Sequence, residues 1–497
     1  MIVLVNPNLV VQRNDPFTTG IVYMPIGLAY TAAVLREKGL PLKVIDAFAE
    51  NPYQTERKAS FLILGLKSEE VIARLPQNTV AVWIYGINLT SHIATLNLVS
   101  TIKLAYPKIP VIVLENTQAV TAYSLSDVAD AFFAAGADAC LTGESELRAV
   151  ELAQLCLSGE WGRVSEIHLD GLCLPNKKNV ATGYVGDLDL LPYPAWDLFP
   201  IENYWNLCFS HGPLSARRYL PLLTSRGCPY TCRFCVAPQT NHQRWRPRSA
   251  QNIVLEMERA AKTYGVYEFH IEDLNPTVSE ARIRELCHLI IQRQLKVAWK
   301  IAAGTKIETI KNLDTLDLMA AAGCRYISIS PESGSSRVLR LMGKFFDFEH
   351  AVRAVRRMNK LGISSQACFV LGFPGEENGD REQTLKMVRE MTREGVDEIA
   401  LFIITPVPGS AIFSEFSGYG SLSELNFTPS WRKDYQKLNR FRVRLYLLFL
   451  IWKLRWHPKK LFQQPFRFLR KCFHTKMEMV PYRAMVFKRL DNRAARR

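Results

Sequence analysis

Tyr219-Leu-Pro-Leu-Leu-Thr-Ser-Arg-Gly-Cys228-Pro-Tyr-Thr-Cys232-Arg-Phe-Cys235 joins a short apolar run to a tight loop that carries three cysteines in eight positions. The run at 219–224 reads as a buried strand, and the same rhythm repeats after it. Further strands are expected at 266–271, 297–302, 326–330, 364–371 and 398–404, separated by helical patterns at 250–264, 280–294, 313–322, 349–361 and 382–394. Six βα units in a row imply parallel strands with right-handed crossovers that curl toward a barrel. Eight units close a full barrel, so 216–412 is expected to form an open, partial one. The cysteine loop then falls at the C-terminal end of the first strand, the face where barrel enzymes place their chemistry.

Three thiolates on one loop can ligate three irons of a [4Fe–4S] cubane, whereas full protein ligation takes four. The missing fourth ligand leaves one iron open to a substrate group, as catalytic metal sites require. A zinc site completed by a distant fourth ligand is the alternative reading of the same cysteines. The other eight, Cys140, Cys156, Cys173, Cys208, Cys287, Cys324, Cys368 and Cys472, are scattered without a second CxxC-type cluster. Cys140, Cys287, Cys324 and Cys368 fall in apolar strand or helix patterns and read as core residues. An odd total of eleven, with three clustered, suits a reducing compartment better than a disulfide framework.

Upstream, 1–160 alternates buried β runs at 1–6, 42–46, 80–85, 111–114 and 137–141 with helices at 25–38, at 91–105 and from 145 onward. This pattern predicts a parallel sheet covered on both faces, in a doubly wound, flavodoxin-like order. Ligands in such sheets sit beyond the carboxyl ends of the strands, here in the loops 6–8, 88–92, 115–118 and 142–144. His92 opens the second helix and is expected at its surface. Residues 161–215 lose the rhythm. Their proline- and aromatic-rich stretch Leu191-Pro-Tyr-Pro-Ala-Trp-Asp-Leu-Phe-Pro200 is expected to be an ordered linker, because its apolar content needs burial.

The formal charge of +15 is uneven: residues 431–497 hold twenty Lys/Arg against three Asp/Glu, so the rest of the chain is nearly neutral. The opening MIVLVNPN has no basic leader and reads as a strand rather than a signal. The longest apolar run, 445–452, is eight residues where a membrane span needs about 20. A cytoplasmic protein is therefore expected. Within 413–497, basic residues interleave with Leu, Phe and Trp at helical spacing. That pattern suits a helix lying in an anionic membrane interface at the inner face of the membrane. A helical cap on the barrel is the competing reading. Nucleic acid would also attract the charge, but no recognised nucleic-acid-binding module accompanies it, and no DNA partner is expected.

The CxxxCxxC spacing with Phe234 before the third cysteine resembles the radical S-adenosylmethionine (SAM) superfamily. The resemblance implies that Cys228, Cys232 and Cys235 hold the cluster, and that its open iron takes the amino and carboxylate groups of SAM. It further implies that an electron from the cluster, supplied by a low-potential flavodoxin- or ferredoxin-type donor, cleaves SAM to a radical that abstracts hydrogen from a substrate. Glu272 and Asp273, ending the second strand, match acidic groups that face the methionine ammonium. Glu332-Ser333-Gly334-Ser335 and Leu371-Gly372-Phe373-Pro374-Gly375-Glu376 match turns on the SAM and adenine sides. The bland alternatives are helix caps, surface ion pairs and simple turns.

The N-terminal domain resembles the cobalamin-binding domain of one radical SAM subgroup, through Pro25-Ile-Gly-Leu-Ala-Tyr30, Leu35-Arg-Glu-Lys-Gly39, Gly143-Glu-Ser-Glu146 and the linker. Asn88, Ser91, Glu115, Gly143 and Glu144 are the corrin-side residues that this implies. No Asp-x-His-x-x-Gly motif is present to ligate cobalt, and Glu115-Asn-Thr-Gln118 stands where a Gly-Gly-Pro-His loop is usual. The implied activity is a cobalamin-dependent C-methyltransferase acting on an unactivated carbon of a lipid-like or natural-product substrate. A radical cyclase or oxidase related to the anaerobic porphyrin ring-forming enzymes, and a tRNA-modifying enzyme, are the alternatives.

Overall fold

The computed structural model describes residues 1–86, 88–119 and 122–496. Strands β1 (Ile2–Asn6), β2 (Leu42–Asp46), β3 (Ala81–Gly86), β4 (Val111–Glu115) and β5 (Ala139–Leu141) form a parallel sheet in the order β2-β1-β3-β4-β5. Every residue of β1, β3, β4 and β5 is buried, as expected for strands covered on both faces. The covering helices include α1 (Ile26–Glu37), α2 (His92–Ala105), α3 (Leu125–Ala134) and α4 (Ala149–Leu157). The switch of direction between β1 and β3 opens a crevice at the carboxyl ends of the strands.

Two features escaped the sequence pattern. Leu9–Gln12, Phe61–Leu64 and Thr55–Arg57 form a small antiparallel sheet. A sixth strand, β6 (Leu172–Cys173), joins β5 antiparallel from within the stretch expected to be linker. Pairings of two to four residues carry too little periodicity to be read from sequence. The rest of that stretch is ordered and fastens both domains. In the helix Ile201–Leu207, Tyr204 donates to Asp46 Oδ2 at 2.7 Å and Trp205 Nε1 donates to the Tyr219 carbonyl at 2.7 Å.

The second sheet runs β7 (Leu220–Leu222), β8 (Glu268–Ile271), β9 (Ala298–Thr305), β10 (Cys324–Glu332), β11 (Ser364–Leu371) and β12 (Glu398–Ile403), all parallel and in sequence order. Among the described residues β7 and β12 do not pair, so the barrel is open. Its outer helices, including α5 (Ala250–Tyr264), α6 (Glu280–Gln292), α7 (Asp314–Ala321), α8 (Phe348–Leu361) and α9 (Asn378–Glu394), begin and end on recognisable caps. Ser249 accepts from Asn252 N and Asp347 from His350 N, while Gly265 and Gly362 close α5 and α8 with positive φ.

The C-terminal helices α10 (Tyr435–Trp456), α11 (Pro458–Phe462), α12 (Gln464–Arg470) and α13 (Lys476–Ala494) fill the gap that six strands leave. Tyr446 Oη accepts the Leu401 N–H of edge strand β12 at 3.0 Å, and Phe473 N donates to the Leu214 carbonyl at 2.6 Å. Glu398 of β12 accepts the Lys476 and Met477 N–H groups and Thr475 accepts from Glu478 N, so the start of α13 is capped inside the barrel. An exposed edge would invite intermolecular strand pairing; the tail covers it.

Candidate functional site

The cysteine loop leaves β7 through a two-residue antiparallel pair, Ser225–Arg226 against Arg246–Pro247. Gly227 follows with φ +80°, and a Cβ there would run into the Arg244 carbonyl. Only glycine lets the chain turn so close to that strand. Cys228, Cys232 and Cys235 each keep part of their surface exposed, yet desolvation pushes all three thiols upward, Cys235 to about 12. Each is raised further by a neighbouring cysteine or by Glu332, and lowered by Lys344. Thiolates on this loop therefore need positive charge. Lys344 is buried and paired with Glu332 Oε1 at 2.7 Å, and Lys306 lies over the Tyr230 ring.

Among the described residues, no three Cys, His, Asp or Glu side chains converge as ligands of a single ion would. A cubane takes each cysteine on a different iron and does not ask for that convergence. The donor set, three soft thiols on one loop beside two lysines, fits an iron–sulfur cluster with one iron left open.

Several expected SAM-side residues turn out to be held by protein partners. Asp273 is fully buried. It accepts from Thr224 N at 2.7 Å, Thr224 Oγ1 at 2.6 Å and Ser225 Oγ at 2.5 Å, so it ties β8 to the root of the cysteine loop rather than facing a ligand. Burial raises its pKa. Ser333 is fully buried and accepts from Ser335 N at 3.1 Å. Glu332 sits at φ +64°, an uncommon conformation for a residue with a Cβ, beside the cysteines through Lys344. Phe234 packs on the apolar cluster around Val338, Met342 and Phe373. Gly372 opens a turn with φ +75° in which its N–H donates to Glu376 Oε2 at 2.6 Å, Pro374 is half-buried, and Arg432 reaches back from the C-terminal region to the Gly372 carbonyl at 3.0 Å.

Glu272 is placed differently. It lines an open cleft between the two domains, with Tyr23, Ile26, Tyr85, Asn116 and Gln118 on the N-terminal side and His211 and Ala303 on the barrel side. His211 Nδ1 lies 2.6 Å from Glu272 Oε2, and Lys476 Nζ, from the start of α13, donates to His211 Nε2 at 3.3 Å and to the Ala302 carbonyl at 2.8 Å. A donor on Nε2 leaves the proton on Nδ1, directed at Glu272. Burial lowers the pKa of both His211 and Lys476. Sequence reasoning missed His211 and Lys476 because each comes from a segment read as linker or tail.

None of the expected corrin-side residues lines this cleft. Asn88 Oδ1 accepts from Thr90 Oγ1 and Ser91 N, a turn at the start of α2. Ser91 is buried there, its carbonyl accepting from Thr95. Glu115 bridges the Leu125 and Gly143 N–H groups at 2.7 and 2.5 Å, and burial raises its pKa. Gly143 has φ +72° and packs on Ala181. The cleft uses the next residues of the same loop instead. Gln118 is buried, its Nε2 donates to Thr117 Oγ1, and its Oε1 has no partner among the described residues. A buried unpaired acceptor costs about 1–3 kcal/mol, so it favours a ligand rich in donors, such as the amides around a corrin. The site fits cobalamin on that ground.

Glu144 is also reassigned. It takes both Arg246 nitrogens at 2.9 and 2.7 Å and lies 3.6 Å from Arg226, whose other nitrogen meets Glu146 at 2.7 Å. All four residues are less than a tenth exposed. Burial works against the Glu144 charge, but the two arginines outweigh it and lower its pKa. The Glu-Ser-Glu stretch of one domain thus clamps the strand that enters the cysteine loop of the other.

His92 is not at the surface. It is buried, edge-on to Tyr123 and Phe132, and burial lowers its pKa to about 4. Below its ordinary value near 6.5 the unfolded chain binds a proton that the folded chain refuses. Stability is therefore lost as pH falls from about 6.5 to 4, by up to about 3 kcal/mol. His92→Leu should lose correspondingly less stability than the parent between pH 7 and 4.5 in urea titrations. Equal losses in both proteins would rule this out. Cys368, expected in the core, lies half-buried near Ser328 and Gln366. Cys140, Cys287 and Cys324 are buried.

Residues 222–388 match the radical SAM superfamily. The chain is 27% identical to the cytidylyl-2-hydroxyethylphosphonate methyltransferase of Streptomyces wedmorensis, over 83% of this chain and 81% of that protein. Its fold resembles the radical SAM methyltransferase TsrM from Kitasatospora setae, solved with cobalamin and a [4Fe–4S] cluster, at TM-score 0.61 and 18% identity, covering 83% of this chain and 77% of the other. It also resembles the cobalamin-dependent radical SAM enzyme OxsB, solved with aqua-cobalamin and SAM, at TM-score 0.60 and 19% identity, covering 90% and 56%.

Proposed function

We infer that the chain, an enzyme of the cobalamin-dependent radical SAM family, transfers a methyl group to an unactivated carbon of a small-molecule substrate. One observation carries this reading: the cleft lies between the strand ends of both domains, the ligand-binding ends of each. When bound, the cluster supplies the electron that breaks SAM into a hydrogen-abstracting radical, and cobalamin supplies the methyl group. An unactivated C–H bond has no acidic proton, so the ordinary acid–base groups of a cleft cannot reach it.

In this reading the chain's own residues position and enclose. Cys228, Cys232 and Cys235 hold the cluster, with Lys344 and Lys306 offsetting its charge. Tyr85, Asn116 and Gln118 face the corrin. The Lys476–His211–Glu272 chain offers a carboxylate and an imidazole of fixed orientation to polar groups of SAM or the substrate. Met24, Pro25 and Ile26 give the cleft an apolar wall, which suits a lipid-like or other partly apolar substrate. A flavodoxin- or ferredoxin-type protein is the proposed electron donor.

The test is anaerobic purification, reconstitution with iron and sulfide, addition of cobalamin, and incubation with SAM and a low-potential reductant. Bound cobalamin with both 5′-deoxyadenosine and S-adenosylhomocysteine is expected. Deoxyadenosine without S-adenosylhomocysteine would replace methyl transfer with a cyclase or oxidase reaction, and no bound cobalamin would overturn the reading of the cleft. Among the described residues no second cysteine cluster accompanies the first, so the fold itself adds no support to the tRNA-modifying alternative.

A further inference from the structure

We propose that the outward face of α10–α12 seats the protein on an anionic lipid surface. Helix α10 is apolar on two opposite sides. Leu438, Leu445 and Phe449 are buried against the barrel. Val443, Leu447, Leu450, Ile451 and Leu454 form a second stripe, 40–60% exposed. At 3.6 residues per turn the two stripes stand on opposite faces of the helix. An apolar helix face is ordinarily covered; of these two faces one is. Phe462, Phe466 and Leu469 of the next two helices are exposed as well, each about two-thirds or more. Of the twenty large apolar side chains left exposed among the described residues, eight fall between 443 and 469. That concentration separates the patch from the scattered exposure normal for a protein surface.

Charge selects the occupant. Residues 435–471 hold eleven Lys/Arg and no Asp/Glu. Arg444, Lys460 and Arg467 are paired with carboxylates of neighbouring elements. Lys437, Arg440, Arg455, Lys459 and Arg470 have no carboxylate partner among the described residues, and Arg440 and Arg455 border the outer stripe of α10. Apolar side chains rimmed by unpaired cations match the boundary between acyl chains and anionic headgroups. A polyanion without an apolar layer, such as nucleic acid, would leave the leucines and phenylalanines uncovered. Among the described residues no helix is long and apolar enough to cross a membrane, so the contact is lateral. The proposal stands whether or not the methyl-transfer reading does.

The test is flotation of the full chain with phosphatidylcholine vesicles containing one-quarter phosphatidylglycerol, and with pure phosphatidylcholine vesicles. Leu447→Glu/Ile451→Glu and Lys459→Glu/Arg470→Glu variants are run alongside. Both pairs are solvent-exposed, so the fold is retained, and circular dichroism checks it. Flotation with anionic vesicles only, weakened at least ten-fold by either variant and by high salt, is expected; each cation removed should weaken binding about five-fold. Equal flotation of parent and variants overturns the proposal. So does a parent dimer that Leu447→Glu/Ile451→Glu makes monomeric without any vesicle binding, which would assign the face to a second copy. Binding to bulk tRNA but not to anionic vesicles would assign it to nucleic acid.

Discussion

Replacing any one of Cys228, Cys232 or Cys235 by alanine is expected to remove the iron–sulfur absorption of the reconstituted protein and to cut SAM cleavage at least about a thousand-fold, or more than ~4 kcal/mol of transition-state stabilisation. The three thiols stand on one short loop after Gly227, and the remaining eight cysteines lie elsewhere in the fold. A lost ligand therefore has no local substitute. The global fold should survive, because the loop residues keep part of their surface exposed and the strand beneath is held through Asp273. Unchanged far-ultraviolet circular dichroism with lost iron is the signature. A variant that keeps full iron content and forms deoxyadenosine at the parent rate would refute the assignment of that cysteine.

The second large effect is expected at the clamp between domains. Arg226→Ala leaves Glu146 buried without its 2.7 Å partner and removes one of the two cations beside Glu144. Breaking a buried pair by removing one partner costs about 3–5 kcal/mol, because the orphaned charge stays desolvated. The Arg226 guanidinium also covers the Tyr30 ring of α1, 5.0 Å from its centroid, so the loss extends to packing. Since Arg226 lies two residues before Cys228, iron loading should fall with stability. The double variant Arg226→Met/Glu146→Met should recover part of the stability, since apolar replacements of a buried pair are often neutral. Unfolding midpoints in urea and iron content per chain measure both effects. An Arg226→Ala protein as stable as the parent would show that the clamp contributes nothing.

The sequence reads well where one local pattern carries the information. Alternating buried strands and amphipathic helices announce both parallel sheets, since a strand covered on both faces must be apolar throughout. The cysteine spacing announces its chemistry, because ligands on one loop are close by covalent connection alone. Carboxylates do not read this way. Glu115, Glu144, Glu272 and Asp273 all sit at strand ends and look alike in sequence. The fold gives Glu115 two backbone N–H groups, Glu144 two arginines from the other domain, Asp273 the root of the cysteine loop, and only Glu272 the cleft.

The tail divides in the same manner. Its charge and apolar content are written in the sequence, but which leucines face the barrel and which face outward depends on the gap between β7 and β12 that α10 and α13 fill. His211, Glu272 and Lys476 come from three separate parts of the chain, and no spacing rule brings them together. Sequence alone thus determined the α/β architecture of both sheets and pointed to Cys228, Cys232 and Cys235 as the proposed cluster ligands, because periodicity and spacing are local properties. Tertiary structure decided which charged groups are spent on holding the domains together and which remain for a ligand, because a side chain's chemistry is set by whatever the fold brings within about 3 Å of it.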